Sequence, residues 1–446
     1  METNLQPTDF TFRTREQFRP FDLLAKNFVR LDDRFDGDTR GNYTALRPGL
    51  PNEDDGYVRV GEGKMRFAGQ DDYYTILKSG TGQRASYATV IIEVASLTEG
   101  TVFAGLYRDA DNYVHAFYNK NDNTVGLEAA VDGVVYELGS TQPDEQRLFE
   151  TPFRFAFVAN ENEVTALVGS PTDLGNWRPI IKRDAKFETR NATGGPLDLR
   201  DVTVLATYKN GFGARSETGS NIFFDRVRAG YYGEAGVRDP HVVQYADGTP
   251  YIKDNKLYFT LTNAGLGFFE KAHWGVWTMD LSDYTSVEQV GNVFWRNEED
   301  PTKVLGHHAG QIVRDEAEGR WIVVVSSWGD FGPQGGDGAL VPGTVTLNPA
   351  NPPVDILYDE LPLSVDPLKG VHILTGSKHP VNAAPFPTEG KWDPGLTRID
   401  GRWYLAYVIA TDLFTDFQPA LARSPRGADH TVQRFVGADW GKRATE

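Results

Sequence analysis

The chain has 446 residues, of which 40% are hydrophobic and 12% aromatic, with 46 Gly, 25 Pro, no Cys and a formal net charge of -17. That length favours two or three domains, and the absence of cysteine excludes disulfides, thiolate nucleophiles and zinc–thiolate centres. The negative charge argues against nucleic acid or an anionic membrane as a partner and is compatible with a neutral ligand.

No stretch approaches the length of an apolar membrane span, and METNLQPTDFTFRTREQF lacks the basic segment and apolar run of a signal peptide. The chain as given is therefore expected to be cytoplasmic, or a secreted protein without its leader. Residues 1–30 are polar and mixed, with Pro20 against a helix, and read as a lead-in segment without assigned fold.

From Arg30 onward, strands of five to eight residues alternate with Gly, Asn and Asp turns, as in YATVIIEVASL, GTVFAGLYRD, NYVHAFYNK, TVGLEAAVDG and FRFAFVANENEVTALVG. Asp109-Ala110-Asp111-Asn112 and Asp132-Gly133 supply hairpin turns. The run closes at NIFFDRVRAGYYGE and predicts an antiparallel β-sandwich over 31–234. With LDDRFDG at its opening and NIFFDRVRAG at its close, it resembles the concanavalin-like, laminin-G-like jelly rolls often attached to carbohydrate enzymes. A structural spacer and a sugar-binding module would read alike.

Composition changes beyond Gly236: eight of the nine Trp and seven of the eight His lie there, which places a boundary near 235. In this half a unit recurs as DNKLYFTLTNAG, EGRWIVVVSSWGD and DGRWYLAYVIATD. Each copy follows a strand that starts with polar residues: Asp239-Pro240, His307-His308 and Asp393-Pro394. Leu257, Trp321 and Trp403 occupy corresponding positions 64 and 82 residues apart, a spacing suited to four-stranded propeller blades with loops. The starts of inner strands converge on one axis, so these polar residues are expected to share a funnel. Taken singly, each has a bland explanation as a turn cap or a packing pair.

RDPHVV with the following KLYFTLTN, and WDPGLTRIDGRWYLAYV, resemble two blades of the five-bladed propeller hydrolases related to glycoside hydrolase family 43, the arabinanase, arabinofuranosidase and xylosidase group. The resemblance implies an all-β fold, a jelly-roll sandwich followed over 235–446 by a partial five-bladed-type propeller. It also implies hydrolysis of furanosides or related glycans of the arabinan or xylan type. An inverting glycosidase needs a base to activate water and an acid to protonate the leaving oxygen, with room for the water between them. A third carboxylate raises the acid's pKa by like-charge repulsion.

By the resemblance Asp239 is the base and Asp393 the pKa modulator. The group's acid is a Glu opening the next blade, and Glu446 is the residue at that distance. The chain is thus expected to be a fragment, to be completed by a partner chain, or to depart from the family's architecture.

The resemblance further implies an axial His beside a structural calcium or water cluster, a place His308 would take as metal ligand, and no organic cofactor. Arg238, His241 and His307 are candidate substrate contacts. Trp274, Trp277, Trp328 and Trp392 are candidates for stacking on sugar faces, whereas Trp321 and Trp403 read equally well as core. GFGAR and Gly335-Gly336 lack the setting of a nucleotide-binding loop, and no HExxH, GxSxG or EF-hand spacing occurs. The rival expectation is a carbohydrate-binding or structural protein with a non-catalytic propeller scaffold.

Overall fold

The computed structural model describes residues 22–47, 58–67, 73–79, 82–173, 175–267, 271–330, 354–381, 388–412 and 415–439. The fold is all-β, with sheets of two kinds. Two face each other as a sandwich. The first runs Trp177–Asp184, Glu163–Gly169, Phe153–Asn160, Tyr87–Leu97, Ile222–Tyr232, Lys64–Phe67, Val58–Gly61, with Leu24–Asp33 also paired to Ile222–Tyr232. The second runs Val134–Thr141, Thr124–Val131, Asn112–Asn119, Thr101–Asp109, Lys209–Ser216, Tyr73–Ser79, Thr44–Arg47.

Alternate residues point inward as the pleat requires. Val90, Ile92, Val102, Leu106, Val114, Phe155, Phe157, Phe212 and Phe224 are among those that fill the space between the sheets. Each such side chain contributes roughly 1.5–3 kcal/mol by leaving water. The tight turn at Asp132-Gly133 works because both residues take positive φ, 50° and 81°, which matches the twist of the paired strands.

The expectation for the first 30 residues needs correction: the strand Leu24–Asp33 begins within the supposed lead-in and runs on into the sandwich. Its burial is confined largely to its first two residues and its last, and adjacent Phe28 and Val29 among Lys26, Asn27 and Arg30 break the apolar–polar alternation. Residues 1–21 lie outside the described residues.

Three further sheets each contain four consecutive antiparallel strands, the blades of the propeller part. The first has Val237–Val242, Lys256–Asn263, His273–Asp280 and Asp283–Arg296. The second has His308–Asp315, Arg320–Ser326, Ile356–Pro362 and Ser377–Lys378. The third has Gly390–Ile399, Arg402–Asp412, Asp416–Arg423 and Arg434–Ala438.

Two crossings tie the blades together. Gln244–Tyr245 leaves the first blade to pair in parallel with His308–Asp315, and Gly370–Leu374 returns from the second blade to pair in parallel with Asp283–Arg296. Val313, Ile322, Val324 and Ile356 of the second blade pack on Leu396, Leu405, Tyr407 and Ile409 of the third.

Sandwich and first blade share a core of their own, in which Tyr87, Ile91, Val158, Tyr231 and Tyr232 meet Phe294 and Val304. The Tyr87 ring stacks on Phe294 at 5.3 Å and 15°. The connecting Gly236 sits at φ 61°, where a Cβ would fall 2.5 Å from the Gly265 nitrogen, so a side chain has no room there.

Candidate functional site

Each blade opens its inner strand with the same irregularity. In the first, Arg238 pairs with Thr262 and His241 with Thr260, so Asp239 and Pro240 together oppose Leu261. In the second, Ala309 and Gly310 oppose Val325; in the third, Asp393 and Pro394 oppose Tyr407. The first extra residue of each bulge has positive φ: 52° at Asp239, 53° at Ala309 and 53° at Asp393. A bulge of this kind bends the strand and re-aims its side chains. Asp tolerates the left-handed region better than most residues. Asp239 and Asp393 are both exposed.

The equivalence of these two aspartates was legible in the sequence, but the second blade's register was not. His307-His308 was expected at the position of the aspartates. The counterpart is Ala309, while His308 matches Arg238 and Trp392. The pairing decides this, and the Gly that follows Ala309 takes the place of the two prolines.

Around the first bulge, Asp239 Oδ2 lies 3.4 Å from Arg238 Nε and 4.0 Å from His308 Nδ1. The His308 ring is near-parallel to that of Trp328, 6.2 Å away at 12°. Trp328 in turn meets Trp392 at 5.3 Å, and Trp392 meets Phe417 at 5.7 Å. The Asp393 amide donates to Ser326 Oγ at 2.8 Å. Beside Trp392, Lys391 Nζ pairs with Asp355 Oδ1 at 2.9 Å, both nearly buried.

Polar side chains tie the second strand of the first blade, Lys256–Asn263, to the inner strand of the second blade, and that inner strand to the inner strand of the third. Thr262 Oγ1 accepts the Ala309 amide at 3.1 Å, Thr260 Oγ1 donates to the Gly310 carbonyl at 2.6 Å, and Gln311 Oε1 accepts the Leu396 amide at 2.6 Å. His241 lies over Gly395, where a Cβ would sit 3.6 Å from its Nε2, and burial lowers its pKa. The mouth is therefore held by rigid strands, as a preorganised site requires.

Three expected contacts fall elsewhere. Trp274 and Trp277 lie within the strand His273–Asp280 with 0% and 1% exposure, buried in the first blade, and cannot stack on a ligand. His307 is also buried; its Nδ1 accepts the Gly329 amide at 3.1 Å, and burial pushes its pKa down to about 3, which makes it a neutral structural imidazole. Trp328 and Trp392 border the mouth but are largely buried in a cluster with Val354 and Ala410, with 7% and 6% exposed. Glu446 lies outside the described residues.

For the calcium expected beside His308, the structure brings one imidazole nitrogen within 4.0 Å of one Asp239 oxygen. That set does not fit an ion that takes about six to eight oxygens. Among the described residues, Glu360, Asp429 and His430 bring their ligand atoms within 4.8 Å of one another. The positive charge at that cluster is already supplied by Arg320, whose guanidinium pairs with Glu360 at 2.7 Å and with Asp429. A cavity of about 570 Å³ bordered by Tyr245, Asp247, Arg314, Asp315 and Arg398 lies at the opposite end of the inner strands from Asp239 and Asp393.

No family model and no curated protein matches the sequence. Among solved structures, the chain is similar to the exoplasmic/lumenal domain of VIP36 in its Ca2+/Man3GlcNAc-bound form, with 10% identity over 46% of this chain and 89% of that one and a TM-score of 0.32. It is also similar to the GH43 protein BlXynB from Bacillus licheniformis, with 15% identity over 46% of this chain and 39% of that one and a TM-score of 0.30. A third is the carbohydrate-binding module CBM66 from Bacillus subtilis, with 13% identity over 36% of this chain and 82% of that one and a TM-score of 0.23. The match thus spans well under half of the GH43 chain's length.

Proposed function

We propose that the mouth formed by the three bulges is a glycoside hydrolase site for furanosides or related glycans of the arabinan or xylan type. The observation that carries this reading is the placement of Asp239 and Asp393 at one register position of two blades, both exposed and both at positive φ. Two carboxylates fixed on rigid strands around an axis suit hydrolysis through an oxocarbenium-like transition state. Asp239 acts as base toward water, held beside Arg238 and His308. Asp393 raises the pKa of the acid, Glu446, and the reaction inverts the anomeric centre. Water is the only co-substrate.

The test is turnover of arabinofuranosides and xylosides, together with the corresponding oligosaccharides, by the wild-type protein and Asp239→Asn. The substitution should abolish turnover while oligosaccharide affinity and melting temperature persist; an unaltered rate removes Asp239 as base. Ala309 at the second blade's bulge supports a second reading, carbohydrate binding without hydrolysis, because that blade adds no carboxylate to the pair. Binding of the oligosaccharides without product would favour it.

A further inference from the structure

Glu161 sits in the turn between the sandwich strands Phe153–Asn160 and Glu163–Gly169, at φ 55°. Charged residues in such turns normally stay in water, yet Glu161 is 0% exposed. Its carboxylate reaches across to the propeller: Oε1 accepts the Tyr87 hydroxyl at 2.8 Å and the Gly306 amide at 3.1 Å. Oε2 has no hydrogen-bond partner among the described residues. Burying a carboxylate this incompletely satisfied costs stability.

Two segments meet at this carboxylate. One is Gly306–Ala309, which carries His308 and the second bulge. The other is the short turn Trp328–Asp330. A Cβ on Gly329 would fall 3.0 Å from Glu161 Oε1 and 3.0 Å from the His307 nitrogen, so the three groups are in close contact. Gly329 also donates its amide to His307 Nδ1, which ties the two segments together directly beside Glu161. Gly306 is equally confined, since a Cβ there would lie 2.1 Å from the Ala272 carbonyl and 2.3 Å from the Tyr87 hydroxyl. One sandwich residue thus stands where the chain segments bearing His308 and Trp328 converge.

We propose that Glu161 is a positioning residue for the propeller mouth: through the Gly306 amide and the Gly329 contact it holds His308 beside Asp239 and against Trp328. The sandwich is then part of the site rather than an appended module. The consequence for ligands rests on the glycan reading of the mouth, whereas the geometric claim does not.

Nuclear magnetic resonance of the isotope-labelled full chain tests it. The readouts are the His308 ring-proton shift, set by the ring current of Trp328, and hydrogen exchange at the Gly306 amide. Glu161→Gln keeps an acceptor oxygen for both donors and should preserve both signals. Glu161→Leu keeps the volume without the acceptor; the His308 shift should move toward that of an unstacked imidazole and Gly306 exchange should quicken about tenfold. Affinity for arabino- and xylo-oligosaccharides should fall in E161L and return in E161Q.

Wild-type signals in folded E161L would overturn the proposal and leave Glu161 as filler. Should E161L not fold, Tyr87→Phe decides: it withdraws one of the carboxylate's two donors, and an unmoved His308 shift and Gly306 exchange rate count against the proposal. Absence of glycan binding by the wild-type protein would sink the functional reading while these two signals still judge the positioning role.

Discussion

Protonation of Glu161 makes the stability of this protein depend on pH in a way that can be worked out. Burial raises its pKa from 4.5 to about 7 against the opposing charges of Lys271 and Arg200; its other neighbours are Tyr87, which donates to it, and His307, which burial keeps neutral. Between those two values the folded protein holds a proton that the unfolded chain has released. The group's contribution is therefore fully present below pH 4.5 and is lost as pH rises through 7. The difference of about 2.5 pH units corresponds to roughly 3 kcal/mol at about 1.4 kcal/mol per unit.

Urea unfolding of wild type and Glu161→Gln from pH 4.5 to 8.5 measures this directly. The other titrating groups are common to both proteins and cancel in the difference. Wild type should lose about 3 kcal/mol relative to E161Q across the range, with the change concentrated between pH 4.5 and 7. A difference that stays constant with pH would mean that Glu161 remains charged throughout, and the argument from burial would fail.

Two other outcomes follow from the packing. Arg320→Met withdraws the cation from Asp315, which is 1% exposed, as well as from Glu360 and Asp429; chemical denaturation should show a loss of roughly 3 kcal/mol, and a loss below about 1 kcal/mol would contradict the clamp between the second and third blades. Trp274→Ala should cost about 3–5 kcal/mol with oligosaccharide affinity of the folded protein unchanged, whereas Trp328→Ala should weaken that affinity; the reverse pattern, read by calorimetry, would exchange their roles.

The parts legible in the sequence were those written into local pattern. Blade hairpins announce themselves as β-rich strands behind polar turns, and the shared Asp-Pro step marks two of the three bulges. What stayed hidden depends on partners distant in the chain. Ala309-Gly310 carries no polar signal, so only its pairing with Arg320–Ser326 identifies it as the counterpart of Asp239-Pro240 and Asp393-Pro394. Trp274 and Trp328 are chemically identical, and only packing separates a core ring from one at the mouth. Glu161 lies in ANENEV, a stretch that reads as an ordinary exposed turn; its burial comes from contact with Gly306, 145 residues further on. Leu24–Asp33 was hidden because adjacent Phe28 and Val29 break its alternation and its apolar start is buried at the junction with the first blade.

The most direct test of the central claim is a crystal structure of Asp239→Asn with a bound arabino- or xylo-oligosaccharide. The account predicts sugar density at the bulges, within hydrogen-bonding distance of residue 239 and His308 and beside Trp328. Density confined to the cavity bordered by Tyr245, Arg314 and Arg398 at the other end of the inner strands, or to the sandwich alone, would contradict it.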